Sequence, residues 1–267
     1  MVEISKSGEP KLLVTMVNKI KTITINNPQA KNALSPETSA MLREAILVST
    51  RDDTRVIILT GVGGNFCSGA ALDASSMSNP KEYDVTQYLR ETVNPAILGI
   101  RNINIPVIAK VRGVAVGLGA NFALACDMVY ASPDAVFSQI FTHIALSSDG
   151  GGAYFMPQTI GYKKAFEWMA TAAKIPAEEA LRYGMINHLV ADEELDAKVQ
   201  EMAETLARGP FVAIQQTKAN LRVGVKGDLA ATLETEAINQ KNNFQTEDLI
   251  EGVMAFLQKR KPQFKGK

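Results

Sequence analysis

The run Ile105-Pro-Val-Ile-Ala-Lys-Val-Arg-Gly-Val-Ala-Val-Gly-Leu-Gly-Ala-Asn-Phe-Ala-Leu-Ala-Cys-Asp127 decides how this chain reads. Pro106 to Val111 is short, apolar and rich in β-branched residues. A glycine-bearing turn follows from Gly113 to Gly119, and from about Gly119 onward Ala and Leu dominate. That change of pattern is strand, turn and apolar helix. Glycine lacks a Cβ, so the turn lets the backbone come close to whatever lies against it. The N–H of Leu118 opens the helix, unpaired within it and at the positive end of its dipole. A donor so placed suits an anion or a developing oxyanion.

A second stretch has the same form. Arg55-Val-Ile-Ile-Leu-Thr60 reads as a buried strand, and the glycine-rich loop Gly61-Val-Gly-Gly-Asn-Phe-Cys-Ser-Gly-Ala70 follows it. This loop offers the N–H of Ala70. If the two strands are parallel neighbours joined by a crossover of helical length, both loops lie at one end of the sheet. Two backbone donors then converge on one oxygen, an oxyanion hole worth several kcal/mol of transition-state stabilisation.

The 267 residues suffice for one large core or a core with an appendage. Lys and Arg number 28 against 28 Asp and Glu, so no basic face is implied and nucleic acid is not an expected partner. The two cysteines, Cys67 and Cys126, form no Cys-x-x-Cys, and the two histidines, His143 and His188, leave little for a metal site. Both cysteines read as small buried hydrophobes suited to a reducing cytoplasm. Residues 1 to 11 are too polar for a signal peptide, and no apolar run is long enough to span a membrane. Gly117-x-Gly119 is not a dinucleotide fingerprint, because Phe122 stands at the third glycine position.

Along the chain, Leu12–Val17 and Ile20–Ile25 form a hairpin about Asn18 and Lys19. Ser35 caps a helix that starts at Pro36 and runs to about Thr50, with Met41, Leu42, Ala45, Ile46 and Val48 as its apolar stripe. Asp73 to about Tyr83 reads as a mobile stretch and possible pocket cover, and a helix bent near Pro95 runs on to Arg101. Strands at 128–131, 135–138 and 186–190 alternate with helices at 162–172 and 176–183. From Asp192 the chain is helical, in segments at 195–208, 210–223, 229–242 and 247–259. The expected organisation is an α/β core over residues 1–195 and a helical oligomerisation region over 196–267.

Four ordered motifs carry a resemblance: Asn27-Pro-x-x-x-Asn32-Ala-Leu, the strand and loop ending in Phe66-Cys-Ser-Gly-Ala70, the run Gly113–Asp127, and the terminal Gly252-Val-Met-Ala-Phe-Leu-Gln-Lys-Arg260. Together they resemble the crotonase (enoyl-CoA hydratase/isomerase) superfamily over nearly the whole chain, about 12 to 264. The resemblance implies a spiral of ββα units with a C-terminal helical trimerisation region, usually a homotrimer or a dimer of trimers. It implies chemistry through the enolate of an acyl-CoA thioester, with CoA arriving as part of the substrate and no other cofactor or metal. Ala70 and Leu118 match the two oxyanion donors. Ala30, Lys31 and the backbone of Ser68 match the loop that holds the adenine end of CoA. Lys259 matches a tail position that reaches CoA phosphates, from its own or a neighbouring subunit.

The departures concern acid and base. Hydratases of this family resemble one another in two glutamates, and the matching positions here are Asn121 and Phe141. Adding water to a double bond calls for a carboxylate pair. This chain has instead Ser147-Ser-Asp149-Gly-Gly-Gly152, which resembles the phenylacetate-degradation ring isomerase and enoyl-CoA isomerase branch. One carboxylate can take a proton from one carbon and return it at another while the enolate is held. Phe141, Tyr154 and Phe155 are the expected apolar lining that raises the Asp149 pKa. Asn121 and Asp127 read as structural, and His143 as a core or surface residue. The reading is thus an enoyl-CoA isomerase, with a hydratase using Asp149 alone and a non-catalytic acyl-CoA-binding module as the alternatives.

Overall fold

A computed structural model describes residues 10–71 and 82–267. β1 (Leu12–Val17) and β2 (Ile20–Ile25) form the expected hairpin. Asn18 and Lys19 both have positive φ, 50° and 66°, as a two-residue type I′ turn requires. In α1 (Pro36–Val48) the Ser35 hydroxyl accepts from the Thr38 N–H at 3.2 Å. Leu42 and Ile46 are buried, but Val48 is exposed. It lies about 200° round the helix from Ile46, off the stripe expected to hold it.

β3 (Val56–Gly61) is buried along nearly its whole length. The expected mobile stretch from Asp73 falls, up to residue 81, outside the described residues. The bent helix is present as α2 (Val85–Tyr88), a π-helical stretch Leu89–Val93, and α3 (Asn94–Asn102). Pro95 explains the bend, because its ring crowds the carbonyl four residues earlier and it has no N–H to give. The ladder widens there, with the Asn94 N–H donating to the Leu89 carbonyl.

β4 (Val107–Val111) then pairs in parallel with β3 through Ile57–Val107, Ile58–Ile108 and Leu59–Ala109. The glycine-bearing turn contains a further short strand, β5 (Val114–Val116), that sequence reading passed over; α4 (Leu118–Ala125) follows. Next come β6 (Met128–Ala131), β7 (Val136–Ser138), α5 (Gly152–Ile160), α6 (Tyr162–Ala170), β8 (Ile175–Pro176), α7 (Ala177–Arg182) and β9 (His188–Leu189). The main sheet has the order β1-β2-β3-β4-β6-β9, all parallel except β1, and β5-β7-β8 make a second, smaller sheet. The larger core cluster joins α1 and α3 to both sheets, with Phe66, Phe122 and Phe137 fully enclosed.

The opposite face of the main sheet is covered by α8 (Asp192–Arg208), a helix that runs across the expected division at 195/196. Leu195, Val199, Ala203 and Ala207 pack on Ile20, Val56, Ile58, Ile108 and Tyr130. Burying Leu195 and Val199 alone is worth about 1.5–3 kcal/mol each. The helix therefore belongs to the core, and the appended helices α9 (Phe211–Gly224), α10 (Leu229–Asn243) and α11 (Glu247–Leu257) begin after Gly209 and Pro210. α9 is locked to the core by Lys218, whose Nζ donates to Asp127 Oδ2 at 2.7 Å, the Ile105 carbonyl at 2.9 Å and the Ile100 carbonyl at 3.2 Å. Asp127 Oδ2 also accepts from the Val107 N–H at 2.8 Å, so its role is structural, as expected. Among the described residues no helix is long and apolar enough to cross a membrane.

Candidate active site

The two glycine-rich loops meet because β3 and β4 are neighbours and because the loop after β3 continues as a partner of β5. Cys67 bridges Ala115 in parallel, with the Cys67 N–H donating to the Val114 carbonyl at 2.9 Å and the Val116 N–H to the Cys67 carbonyl at 3.0 Å. Ala70 lies three residues beyond Cys67 and Leu118 three beyond Ala115. Parallel register therefore brings the two predicted donors level with each other. A Cβ built on Gly69 would lie 3.6 Å from the Leu118 nitrogen.

Both N–H groups are free among the described residues. Ala70 is flanked by the pairing with Leu34, in which the Leu34 N–H donates to the Gly69 carbonyl at 2.9 Å and the Ala71 N–H to the Leu34 carbonyl at 2.8 Å. In such pairing the intervening Ala70 N–H points the other way. Leu118 is the first residue of α4, whose first internal bond runs from the Asn121 N–H to the Gly117 carbonyl at 3.2 Å. The close approach of α4 to the Cys67 loop depends on Gly119, where a Cβ would lie 2.2 Å from the Cys67 carbonyl oxygen.

The Asp149 loop packs on the side chain of Leu118. A Cβ on Gly150 would lie 2.6 Å from Leu118 Cδ1. Asp149 Oδ1 is buried and has no hydrogen-bond partner among the described residues. Burial pushes its carboxyl up to about 6. A carboxylate that is desolvated and unpaired is a base held ready for a proton. The Tyr88 phenol, on the helix that precedes the π-helical stretch, is pushed up to about 12, first by burial and then by Tyr83, Asp149 and Glu37. The expected aromatic lining is divided. Phe155 is buried and packs on Gly151, whereas Tyr154 is exposed and meets Phe155 edge-on.

Asn121, at the position of the first hydratase glutamate, is fully buried and spent on structure. Its Nδ2 donates to the Asp149 carbonyl at 2.7 Å, and its Oδ1 accepts from Gln139 Nε2 at 2.7 Å. Gln139 Oε1 accepts in turn from the Ser148 hydroxyl at 3.1 Å. Sequence reading missed Gln139. The signal was its place two residues after buried Phe137, on the same face by strand periodicity. Phe141 lies in the 3-10 turn Ile140–Ile144, 3.7 Å from a Cβ built on Gly117. It lines a cavity of about 500 Å³ with Ser147, Ser148 and Phe166; neither Asp149 nor Leu118 lines that cavity.

The adenine-end residues are brought together. The Ser68 N–H donates to the Lys31 carbonyl at 3.0 Å, and its hydroxyl donates to the Ala30 carbonyl at 2.8 Å. Lys31 and Asn32 take positive φ, 47° and 61°. Buried Asn32 fixes that turn to the other loop, its Nδ2 donating to the carbonyls of Val62 and Asn65 at 2.9 and 2.7 Å. Lys259 is not brought to these loops within the chain. It is exposed just beyond α11, in a tail anchored by Asp248 and by Arg55 at the N-terminal end of β3, the end of the sheet opposite the catalytic loops. Cys67 and Cys126 are buried, and burial pushes the Cys67 thiol up to about 12 and the Cys126 thiol higher, so neither is a nucleophile. His143 is exposed.

Residues 15–267 match the enoyl-CoA hydratase/isomerase family. A Rhodobacter capsulatus protein named as a probable enoyl-CoA hydratase is 39% identical over 93% of this chain and 95% of its own. The 1,2-epoxyphenylacetyl-CoA isomerase of Escherichia coli is 34% identical over 93% of this chain and 95% of its own. The crystal structure of an enoyl-CoA hydratase from Bacillus anthracis superposes with a TM-score of 0.90 at 30% identity, covering 96% of this chain and 100% of that one. The chain belongs to the enoyl-CoA hydratase/isomerase family and has the crotonase fold, a family whose members act on acyl-CoA thioesters.

Proposed function

We propose that the protein is an enoyl-CoA isomerase. The N–H groups of Ala70 and Leu118 polarise the thioester carbonyl, and Asp149 carries a proton between the α and γ carbons. The observation that carries this reading is Asp149 itself: its Oδ1 is buried and has no hydrogen-bond partner among the described residues, and the next residue, Gly150, packs on the Leu118 side chain. Stabilising the enolate oxygen through two main-chain donors lowers the barrier to α-proton loss. The same carboxyl, once protonated, can return the proton at the far end of the conjugated anion. The absence of carboxylates at Asn121 and Phe141 disfavours hydration, which must position and split a water. The likeness to the E. coli 1,2-epoxyphenylacetyl-CoA isomerase supports the isomerase branch and brings ring-derived acyl groups within range.

In this reading Ala30, Lys31 and Ser68 receive the adenine end of CoA, Phe141 borders the acyl channel, and Lys259 reaches CoA phosphates from a neighbouring subunit. The exposed apolar face of α11, with Ile250, Phe256 and Leu257, supports a homotrimer or a dimer of trimers. Light scattering in solution tests that assembly. A panel of β,γ-unsaturated acyl-CoA thioesters, assayed for double-bond migration, tests the reaction. The names of relatives such as the R. capsulatus protein keep a hydratase as the second reading. Rapid loss of the conjugated absorbance of crotonyl-CoA, without migration on any panel member, would replace the isomerase with it. Binding of every thioester with no α-proton exchange in heavy water would leave a non-catalytic module.

A further inference from the structure

Asn121 occupies a position where a hydratase of this family has a carboxylate, and it is not idle there. We infer that Asn121, Gln139 and Ser148 form a clamp that positions the catalytic base, with Asn121 as its central positioning residue. This inference rests on Asp149 being the base.

The clamp is a chain of three side chains closed by one backbone carbonyl. Asn121 is fully buried on the second turn of α4, and Gln139 is 2% exposed at the end of β7. Each uses both ends of its amide: Asn121 gives a hydrogen to the Asp149 carbonyl and receives one from Gln139, which receives one from Ser148. The Ser148 hydroxyl also lies 3.3 Å from the Asp149 carbonyl, and the Gly152 N–H donates to that carbonyl at 3.3 Å. The loop is thus gripped on both sides of Asp149 by groups that sit on rigid elements.

Two features make this a positioning device rather than ordinary filler. The donor goes to the main chain of Asp149 and leaves its carboxyl oxygen Oδ1 without a partner among the described residues. Hydrogen bonds to the ionised carboxylate would have lowered its basicity; a bond to the carbonyl fixes its place without that cost. The packing is also closed. A Cβ on Gly152 would lie 2.3 Å from the Ser148 hydroxyl, 2.6 Å from Gln139 Oε1 and 3.0 Å from Asn121 Nδ2, so the clamp can form only against glycine. Because Asn121 and Leu118 lie one turn apart on α4, the oxyanion donor and the base are referenced to one helix.

The geometry has a consequence for the amide itself. A carboxylate at position 121 would have no hydrogen to give the Asp149 carbonyl, and both the carbonyl and Gln139 would be mispaired or left bare. The site therefore accommodates the hydratase residue at 121 or this placement of Asp149, not both.

The test compares the wild-type protein with Asn121→Leu, which keeps the approximate shape and removes both hydrogen bonds, and with Ser148→Ala, which cuts only the outer link. Folding is checked by thermal melting and by binding of a saturated acyl-CoA. Two readings are taken: kcat and KM for double-bond migration, and the pKa of Asp149 in the free enzyme. The latter comes from carbon NMR of aspartate labelled at the carboxyl, assigned by loss of the signal in Asp149→Asn. A base displaced by about 1 Å costs on the order of 100-fold in rate. Asn121→Leu should lower kcat by about that factor with little change in KM. The Asp149 pKa should fall from about 6 toward its ordinary 3.8 as water reaches the loosened loop. Ser148→Ala should move both in the same direction by less, and it supplies the answer if Asn121→Leu fails to fold. A folded Asn121→Leu with the wild-type kcat and Asp149 pKa overturns the clamp. A wild-type protein that moves no double bond, but whose Asp149 pKa drops in Asn121→Leu, instead refutes the isomerase and leaves the clamp standing.

Discussion

The oxyanion side and the base side of this site are built by different means. In the proposed reading Ala70 and Leu118 act through main-chain N–H groups, whose positions follow from sheet register: β3 beside β4, and Cys67 beside Ala115. Side-chain identity hardly matters there, because the donor is common to every residue but proline. Asp149, the proposed base, would act through its side chain from a loop between the 3-10 turn and α5, and its main chain is held by the buried amides of Asn121 and Gln139. A site with one half fixed by backbone and the other by side chains can change its acid–base chemistry while keeping its grip on a thioester. That is consistent with a family whose members include proteins named both hydratase and isomerase.

The contrast is sharpest in Asp149→Asn, which should lower kcat about 10²–10⁴-fold while acyl-CoA affinity, measured by calorimetry, stays near wild type. Turnover retained by that variant would remove Asp149 from the chemistry. On the other half, Gly119→Ala places a methyl 2.2 Å from the Cys67 carbonyl oxygen and must part the two loops. Losing alignment of one oxyanion donor should cost about 10²–10³ in kcat.

A third measurement separates the halves by pH. The base must be ionised, so kcat/KM for migration should fall about tenfold per unit below pH ~6. Stability runs the other way. The Asp149 pKa is raised on folding, from 3.8 to about 6, so between those values the folded state binds the extra proton. Stability must then decline as pH rises through that window, and Asp149→Asn should remove this part of the slope and melt higher than wild type at pH 7. The smallest effect on the site is expected from Lys218→Met. It strips Asp127 of its cation and uncaps the carbonyls of Ile100 and Ile105, costing about 3 kcal/mol in urea unfolding. The protein that stays folded should turn over at the wild-type rate.

The amino-acid sequence was most legible where local pattern and fold agree. The hairpin at Asn18 and Lys19, the Ser35 cap and the strand–loop–helix at 105–127 all read directly, because turn chemistry, capping and apolar period are short-range. So did the two glycine-rich loops that offer the Ala70 and Leu118 N–H groups, since a glycine loop after a buried strand is a local feature. The β5 strand was not legible, because three residues flanked by glycines have no period of their own. Their pairing with Val136, Phe137 and Ser138 comes from more than 20 residues away. The partner of the helix that crosses residue 195 was not legible either, because an amphipathic helix looks the same whether it packs on another helix or on a sheet. Only the packing of Leu195 and Val199 on Val56 and Ile58 assigns α8 to the core.

Sequence by itself determined the hairpin, the buried strands β3 and β4, the Ser35 cap, the two glycine-rich loops and, by resemblance, the family. It also showed that the carboxylates expected of a hydratase are missing at Asn121 and Phe141. Tertiary structure alone decided that Asn121 faces the Asp149 carbonyl, that Gln139 and Ser148 complete the link, and that Oδ1 of Asp149 is buried with no partner among the described residues. The reason is physical. A main-chain donor at a helix start is set by neighbours in the chain, whereas the basicity of a carboxyl is set by whatever surrounds it in space.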